Sequence, residues 1–204
     1  MIFPTFCCAC QRSGAFLCPD CINDLSFFTP PISLPLKPLY LDKVIAAVEY
    51  QSPISQLIQT MKYQSVQDVC QFCARFLYDT TVFPQTDFIT AVPMARWQQW
   101  YRGFNQAEEI AKKLAQLTHV PYQAFLEKTR STRKQARIRN REKRLGNLTN
   151  IFQIKKDTHS LLTQKSILLI DDVATTGTTL NECARILKSA GAEKVIGLVL
   201  AHGG

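Results

Sequence analysis

The stretch "ILLIDDVATTGTTLNE", residues 167–182, runs four apolar residues straight into two adjacent acids, Asp171 and Asp172, and then into a glycine set among four threonines. Two carboxylates side by side at the end of a buried strand repel each other, so they must face something neutral or cationic. The residues that follow have the opposite character. Gly177 suits a turn, and Thr179 with Glu182 matches a Thr-x-x-Glu capping box, so a helix is expected to start just after the glycine. Its open amides, with the hydroxyls of Thr175, Thr176, Thr178 and Thr179, make a cradle for a dianion. A phosphate fits the cradle but not the acids. A ribose 2′,3′-diol with magnesium fits the acids, because paired carboxylates accept hydrogen bonds from adjacent hydroxyls. The stretch therefore predicts a 5-phosphoribosyl site.

A polar turn that only caps a helix would account for the threonines and not for the aspartates. Two other phosphate motifs are absent: none of the eight glycines is followed by lysine, and no Gly-x-Gly occurs, which excludes a Walker A loop and a dinucleotide fingerprint.

A second anion grip is predicted in residues 92–105, where Arg96 and Arg102 precede a helix start. Arginine's planar fork and the helix amides both suit a phosphate. Arg102, Gly103 and Asn105 are the candidates, with Asn105 and Glu108 read as another capping box. The competing reading makes the arginines surface charges and Trp97, Trp100 and Tyr101 core or interface aromatics.

The cysteines "CCACQRSGAFLCPDC" give Cys7-x-x-Cys10 and, seven residues on, Cys18-x-x-Cys21. Two such knuckles place four thiolates around one zinc, which a short segment with little core needs in order to fold. Cys8 could replace Cys7 as a ligand, and iron in a rubredoxin-like site is the alternative metal. Cys70-x-x-Cys73 has the same spacing but lies on a helical apolar stripe, where cysteine behaves as a small hydrophobe.

These groups must be positioned by elements that alternate. Strands are expected at "KVIAAVEY", "DFITAVP", "YQAFLEKT", residues 165–170 and "KVIGLVLAH", and helices at "PISQLIQTMKY", "SVQDVCQFCARFLYD", the segment after Asn105, and Thr179 to Ala190. Alternation of this kind implies a parallel sheet covered on both faces, with ligands beyond the carboxyl ends of its strands. The Pro-rich "TPPISLPLKP" reads as a linker. It divides a cysteine module, residues 1–36, from an α/β domain, residues 37–204.

At 204 residues with 46% apolar and 20% charged, the chain can bury a full core. With no long apolar run and no secretory leader it reads as soluble and cytoplasmic, with no membrane insertion. Its +8 charge is local. Lys128 to Arg144 holds nine Lys/Arg against Glu142, and the remainder balances to zero. This points to an anionic partner. The segment could close over diphosphate as a lid, or track a nucleic-acid backbone with Arg133, Arg137, Arg141 and Arg144 on one helical face. It could also be a solvated loop. No aromatic lies within it to stack on bases.

"ILLIDDVATTGTT" resembles the signature of type I phosphoribosyltransferases. More closely, the chain resembles the ComF competence-protein family. It shares the N-terminal CxxC pair, "MKY", "VP" followed by "RGFNQ", a basic loop ending in "RLGN", and the C-terminal signature, over nearly the whole length. The resemblance implies the type I phosphoribosyltransferase fold with an N-terminal zinc ribbon. It implies that Asp171 and Asp172 hold the ribose hydroxyls of phosphoribosyl pyrophosphate (PRPP), with magnesium, as the catalytic pair. Val173, Ala174, Thr175, Thr176, Gly177, Thr178 and Thr179 would hold its 5-phosphate. It further implies a part in natural transformation, with single-stranded DNA and other competence or DNA-processing proteins as partners. A PRPP-dependent transferase of nucleotide or nucleobase metabolism without a DNA role is the other reading, and no residue stands out as the base for its acceptor.

Overall fold

The computed structural model describes residues 5–29, 31–63, 66–95, 100–101, 103–129 and 151–203. Element order is α1 (Pro19–Asn23), β1 (Lys43–Glu49), α2 (Ile54–Tyr63), α3 (Val66–Thr80), β2 (Phe88–Ala91), α4 (Gln106–Thr118), β3 (Leu126–Lys128), β4 (Phe152–Ile154), a 3-10 turn (Lys156–Leu161), β5 (Ser166–Ala174), α5 (Thr178–Ser189) and β6 (Lys194–His202).

Four strands form one parallel sheet in the order β1-β6-β5-β2. Both faces are covered, as strands such as "ILLI" and "VIGLVLA" demand, because every side chain of these runs is apolar and must leave water. On one face Ile45, Leu168, Ile170, Leu198 and Leu200 pack with Leu57, Met61, Leu77, Ile110 and Leu114 of α2, α3 and α4. On the other, Val44, Ile167, Leu169, Val195 and Val199 meet Leu180, Cys183 and Leu187 of α5, together with Phe125 and Phe152.

Cys70 and Cys73 are buried in the first core. Burial raises both thiols, Cys70 to about 12, and the Cys73 thiol touches the sulfur of Met61 at 3.6 Å. They are apolar filling, as their stripe predicts. The cysteine-rich N-terminus joins the same core through Leu17 and Leu25, and Phe16 meets Phe72 edge-on at 6.0 Å.

The segment read as a strand over 122–129 contributes only β3. It pairs antiparallel with β4 instead of entering the main sheet.

Candidate functional site

Register explains why the acids are accessible. Strand β2 ends opposite Ile170, whereas β5 and β6 continue, pairing Asp171 with Val199 and Ala174 with His202. Asp171 and Asp172 therefore sit on a stretch of β5 with a neighbour on only one side. The missing strand leaves a cavity of about 250 Å³ lined by Pro93, Met94, Asn105, Gln106, Lys128, Asp171, Asp172 and Thr179, among others.

Each carboxylate is braced locally. The amide of Asp172 donates to Asp171 Oδ1 at 3.0 Å, and the amide of Val173 to Asp172 Oδ1 at 2.8 Å. Among the described residues neither acid has an ion-pair partner. Burial and the neighbouring Asp172 charge hold the Asp171 carboxyl well above the usual carboxylate range, although part of the side chain still meets solvent. Two crowded carboxyls with no ion-pair partner among the described residues fit a divalent ion or a pair of hydroxyl donors.

The loop after β5 forms a second, smaller hollow of about 50 Å³, lined by Asp171, Val173, Ala174, Thr175, Thr176, Gly177, Thr178, Thr179 and Leu180. Gly177 adopts φ 72° and is the N-cap of α5. The helix therefore begins at Thr178, and the Thr179–Glu182 capping box does not form. Glu182 instead pairs with Arg185 through two hydrogen bonds of 2.9 and 2.7 Å. A left-handed glycine can serve as the cap without a side-chain oxygen of its own, and the first amide of α5, that of Thr178, donates only to the Thr176 hydroxyl at 3.5 Å. The hydroxyls of Thr176 and Thr178 share a hydrogen bond of 2.8 Å.

Three supports of this loop lie outside the sequence expectations. The His202 ring meets the Ala174 carbonyl through Nδ1 at 2.9 Å. Asn181 binds the Tyr40 amide and the Pro38 carbonyl, at 2.7 and 3.0 Å. Leu34 lies where a side chain at 177 would project. The Pro-rich stretch is thus strapped across the start of α5. No motif signals the strap, because its contacts join residues more than a hundred positions apart.

Gly177→Ala should lower stability by about 1–2 kcal/mol, since it places a Cβ in a left-handed conformation and against Leu34. In chemical denaturation, adding Leu34→Ala should relieve the contact and leave the backbone strain.

On the opposite wall Asn105 is the N-cap of α4, but its side chain donates to the Val92 carbonyl at 3.0 Å. The Asn105–Glu108 capping box therefore does not form either. The side chain ties the loop to the end of β2 and leaves the helix amides open. Gly103 is an exposed bend at φ 82° and does not line the cavity. Arg102 and Arg96 lie outside the described residues, as do Arg133, Arg137, Arg141 and Arg144. Trp100 and Tyr101 are 88% and 83% exposed, so neither is a core aromatic. Lys128, counted at first only as part of the basic run, lines the cavity, with its ammonium 5.5 Å from the centre of the Phe152 ring. A further hollow of about 250 Å³ adjoins it, lined by Glu108, Tyr122, Lys128 and Lys155 among others.

At the N-terminus the sulfurs of Cys7, Cys10, Cys18 and Cys21 all lie within 4.8 Å of one another. Four thiolates about one zinc stand ~3.8 Å apart, and Cys10 and Cys18 are already at 3.5 Å. Burial pushes the Cys7 thiol up, but the amides of Cys10, Cys18 and Ala9 outweigh it and hold the group at about 6. Cys8 lies outside the cluster and is raised by burial to about 11. The geometry thus selects Cys7 over Cys8, and the cluster could hold a metal ion. Among the described residues, no helix is long and apolar enough to cross a membrane.

Comparison with known proteins gives the same answer. The chain is 28% identical to Competence protein F of Haemophilus influenzae over 93% of its own length and 86% of that protein. It is equally similar to the DNA utilization protein YhgH of Escherichia coli K12, over 93% and 85%. Competence protein ComFC of Streptococcus pneumoniae matches at 28% over 91% and 80%. The phosphoribosyl transferase domain family model matches residues 101–204, the span that holds the β2–α4 helix start, both aspartates and the threonine loop. The chain belongs to the phosphoribosyl transferase domain family and is a ComF-type member of it.

Proposed function

We propose that the chain binds PRPP with magnesium in the cavity beside β5 and acts in natural competence, handling incoming single-stranded DNA. The observation that carries the reading is the pair of carboxylates, without an ion-pair partner among the described residues, set beside a threonine loop that opens a helix. In this reading Asp171 and Asp172 accept the ribose 2′- and 3′-hydroxyls, and residues Val173 to Thr179 take the 5-phosphate on hydroxyls and helix amides. The start of α4, with Arg102 and Asn105, takes the diphosphate. Magnesium, when bound, supplies the charge that lets acids and diphosphate share one cavity. Zinc on Cys7, Cys10, Cys18 and Cys21 is structural, and residues 1–36 and 37–204 are the two functional units. The role in DNA uptake rests on the relatives named for competence and DNA utilization, and the DNA contact on the nine positive charges of residues 128–144.

The hollow lined by Glu108, Tyr122, Lys128 and Lys155 favours a second reading, in which an acceptor sits there and displaces diphosphate from C1′. Arginines and the open α4 amides would then steady the departing charge.

Replacing Arg133, Arg137, Arg141 and Arg144 together by alanine separates the roles of the basic segment. Fluorescence anisotropy should show single-stranded DNA affinity falling more than about tenfold at low salt, with a shallower salt slope, while PRPP affinity is retained. Loss of PRPP binding with DNA binding intact would make the segment a lid. No change in either would make it a solvated loop.

A further inference from the structure

Gln106 is 1% exposed, yet its Nε2 has no hydrogen-bond partner among the described residues. A buried amide nitrogen left unpaired is costly, and folded proteins seldom leave one so. The residue lines the cavity that holds Asp171 and Asp172. It is also the first residue of α4, a thirteen-residue helix whose N-cap side chain is drawn away to Val92. Gln106 and the open helix amides therefore belong to the wall of the cavity that holds the acids, with the Nε2 atom itself enclosed.

Building on the PRPP reading, we infer that Gln106 is a diphosphate-binding residue whose Nε2 donates to a diphosphate oxygen. An NH₂ group is a donor only and favours an anionic oxygen, whereas the sugar hydroxyls already have two carboxylate acceptors in Asp171 and Asp172. The α4 dipole adds to the attraction. The acids of its first turn do not cancel this, because Glu108 and Glu109 both pair with Lys112, at 2.9 and 3.4 Å. The terminal amide torsion is broad, so the nitrogen can turn into the cavity at little cost.

The test compares wild type, Gln106→Met and Gln106→Glu by isothermal titration with PRPP, inorganic diphosphate and ribose 5-phosphate, each with magnesium. Gln106→Met keeps the volume and removes the donor. PRPP and diphosphate affinity should fall about tenfold, ribose 5-phosphate affinity should not change, and the unliganded melting temperature should stay level or rise. Gln106→Glu should lose more, because it presents an acceptor to an anion. Equal loss of ribose 5-phosphate binding would make Gln106 a packing residue and overturn the inference, as would unchanged affinity for diphosphate in both variants. A wild type that binds none of the three ligands would overturn the site reading, and this inference with it.

Discussion

Asp171→Asn with Asp172→Asn should abolish PRPP–magnesium binding, with affinity falling at least about 100-fold, while the protein keeps its fold. The expectation follows from the environment of the pair. Both carboxyls sit on an overhang of β5, one oxygen of each is braced by the next amide, and neither has an ion-pair partner among the described residues. Asparagine keeps the shape and removes the charges that would take two hydroxyls and a divalent ion.

The same substitution should raise the stability of the unliganded protein at neutral pH. Asp171 is raised above its unfolded value by burial and by Asp172, so the native state holds a proton that the unfolded chain releases. Stability from this group is therefore fully present below about pH 4, the unfolded value, and is lost as pH rises through the raised native value. Wild type should lose stability across that window, and Asp171→Asn should flatten the loss. Ligand affinity should run the other way, strengthening as pH rises and Asp171 ionises. Melting curves of both proteins across pH, with and without PRPP and magnesium, check both halves. A double variant that responds to ligand as wild type does would remove the aspartates from the site.

Cys18→Ser with Cys21→Ser should eliminate bound zinc, about one ion per chain in wild type, and lower the melting temperature sharply. Two ligands of four cannot hold a tetrahedral zinc, and the segment they organise carries Leu17 and Leu25 into the core shared with α2 and α3. A loss of even ~3 kcal/mol moves the midpoint of a domain of this size by about 6–12 °C. Metal analysis and calorimetry measure the two effects. Zinc retained at full stoichiometry would place the metal elsewhere.

Much of the site could be read from the sequence because it is local. The two aspartates, the glycine and the threonines occupy nine consecutive residues, and the apolar run before them fixes a buried strand whose end must carry them. The alternation that predicted a parallel sheet held for β1, β2, β5 and β6, whose apolar runs have no polar face to offer solvent. What failed depended on backbone conformation and on side-chain partners that a spacing motif does not specify. Thr-x-x-Glu describes a capping box only if the cap side chain is free, yet at α5 a left-handed glycine takes the cap and Glu182 turns to Arg185. At α4 the Asn105 side chain is held by Val92, thirteen residues away. The strap of residues 34–40 over α5 joins positions with no shared periodicity. The choice of Cys7 over Cys8 needed the fold, because adjacent cysteines differ in direction and not in spacing.

The most direct test of the central reading is calorimetric titration of the wild-type protein with PRPP in the presence and absence of magnesium. Saturable, magnesium-dependent binding of one PRPP per chain, competed by inorganic diphosphate with magnesium and weakened in Asp171→Asn/Asp172→Asn, is the expected result. Absence of binding by folded, zinc-loaded wild type would contradict it.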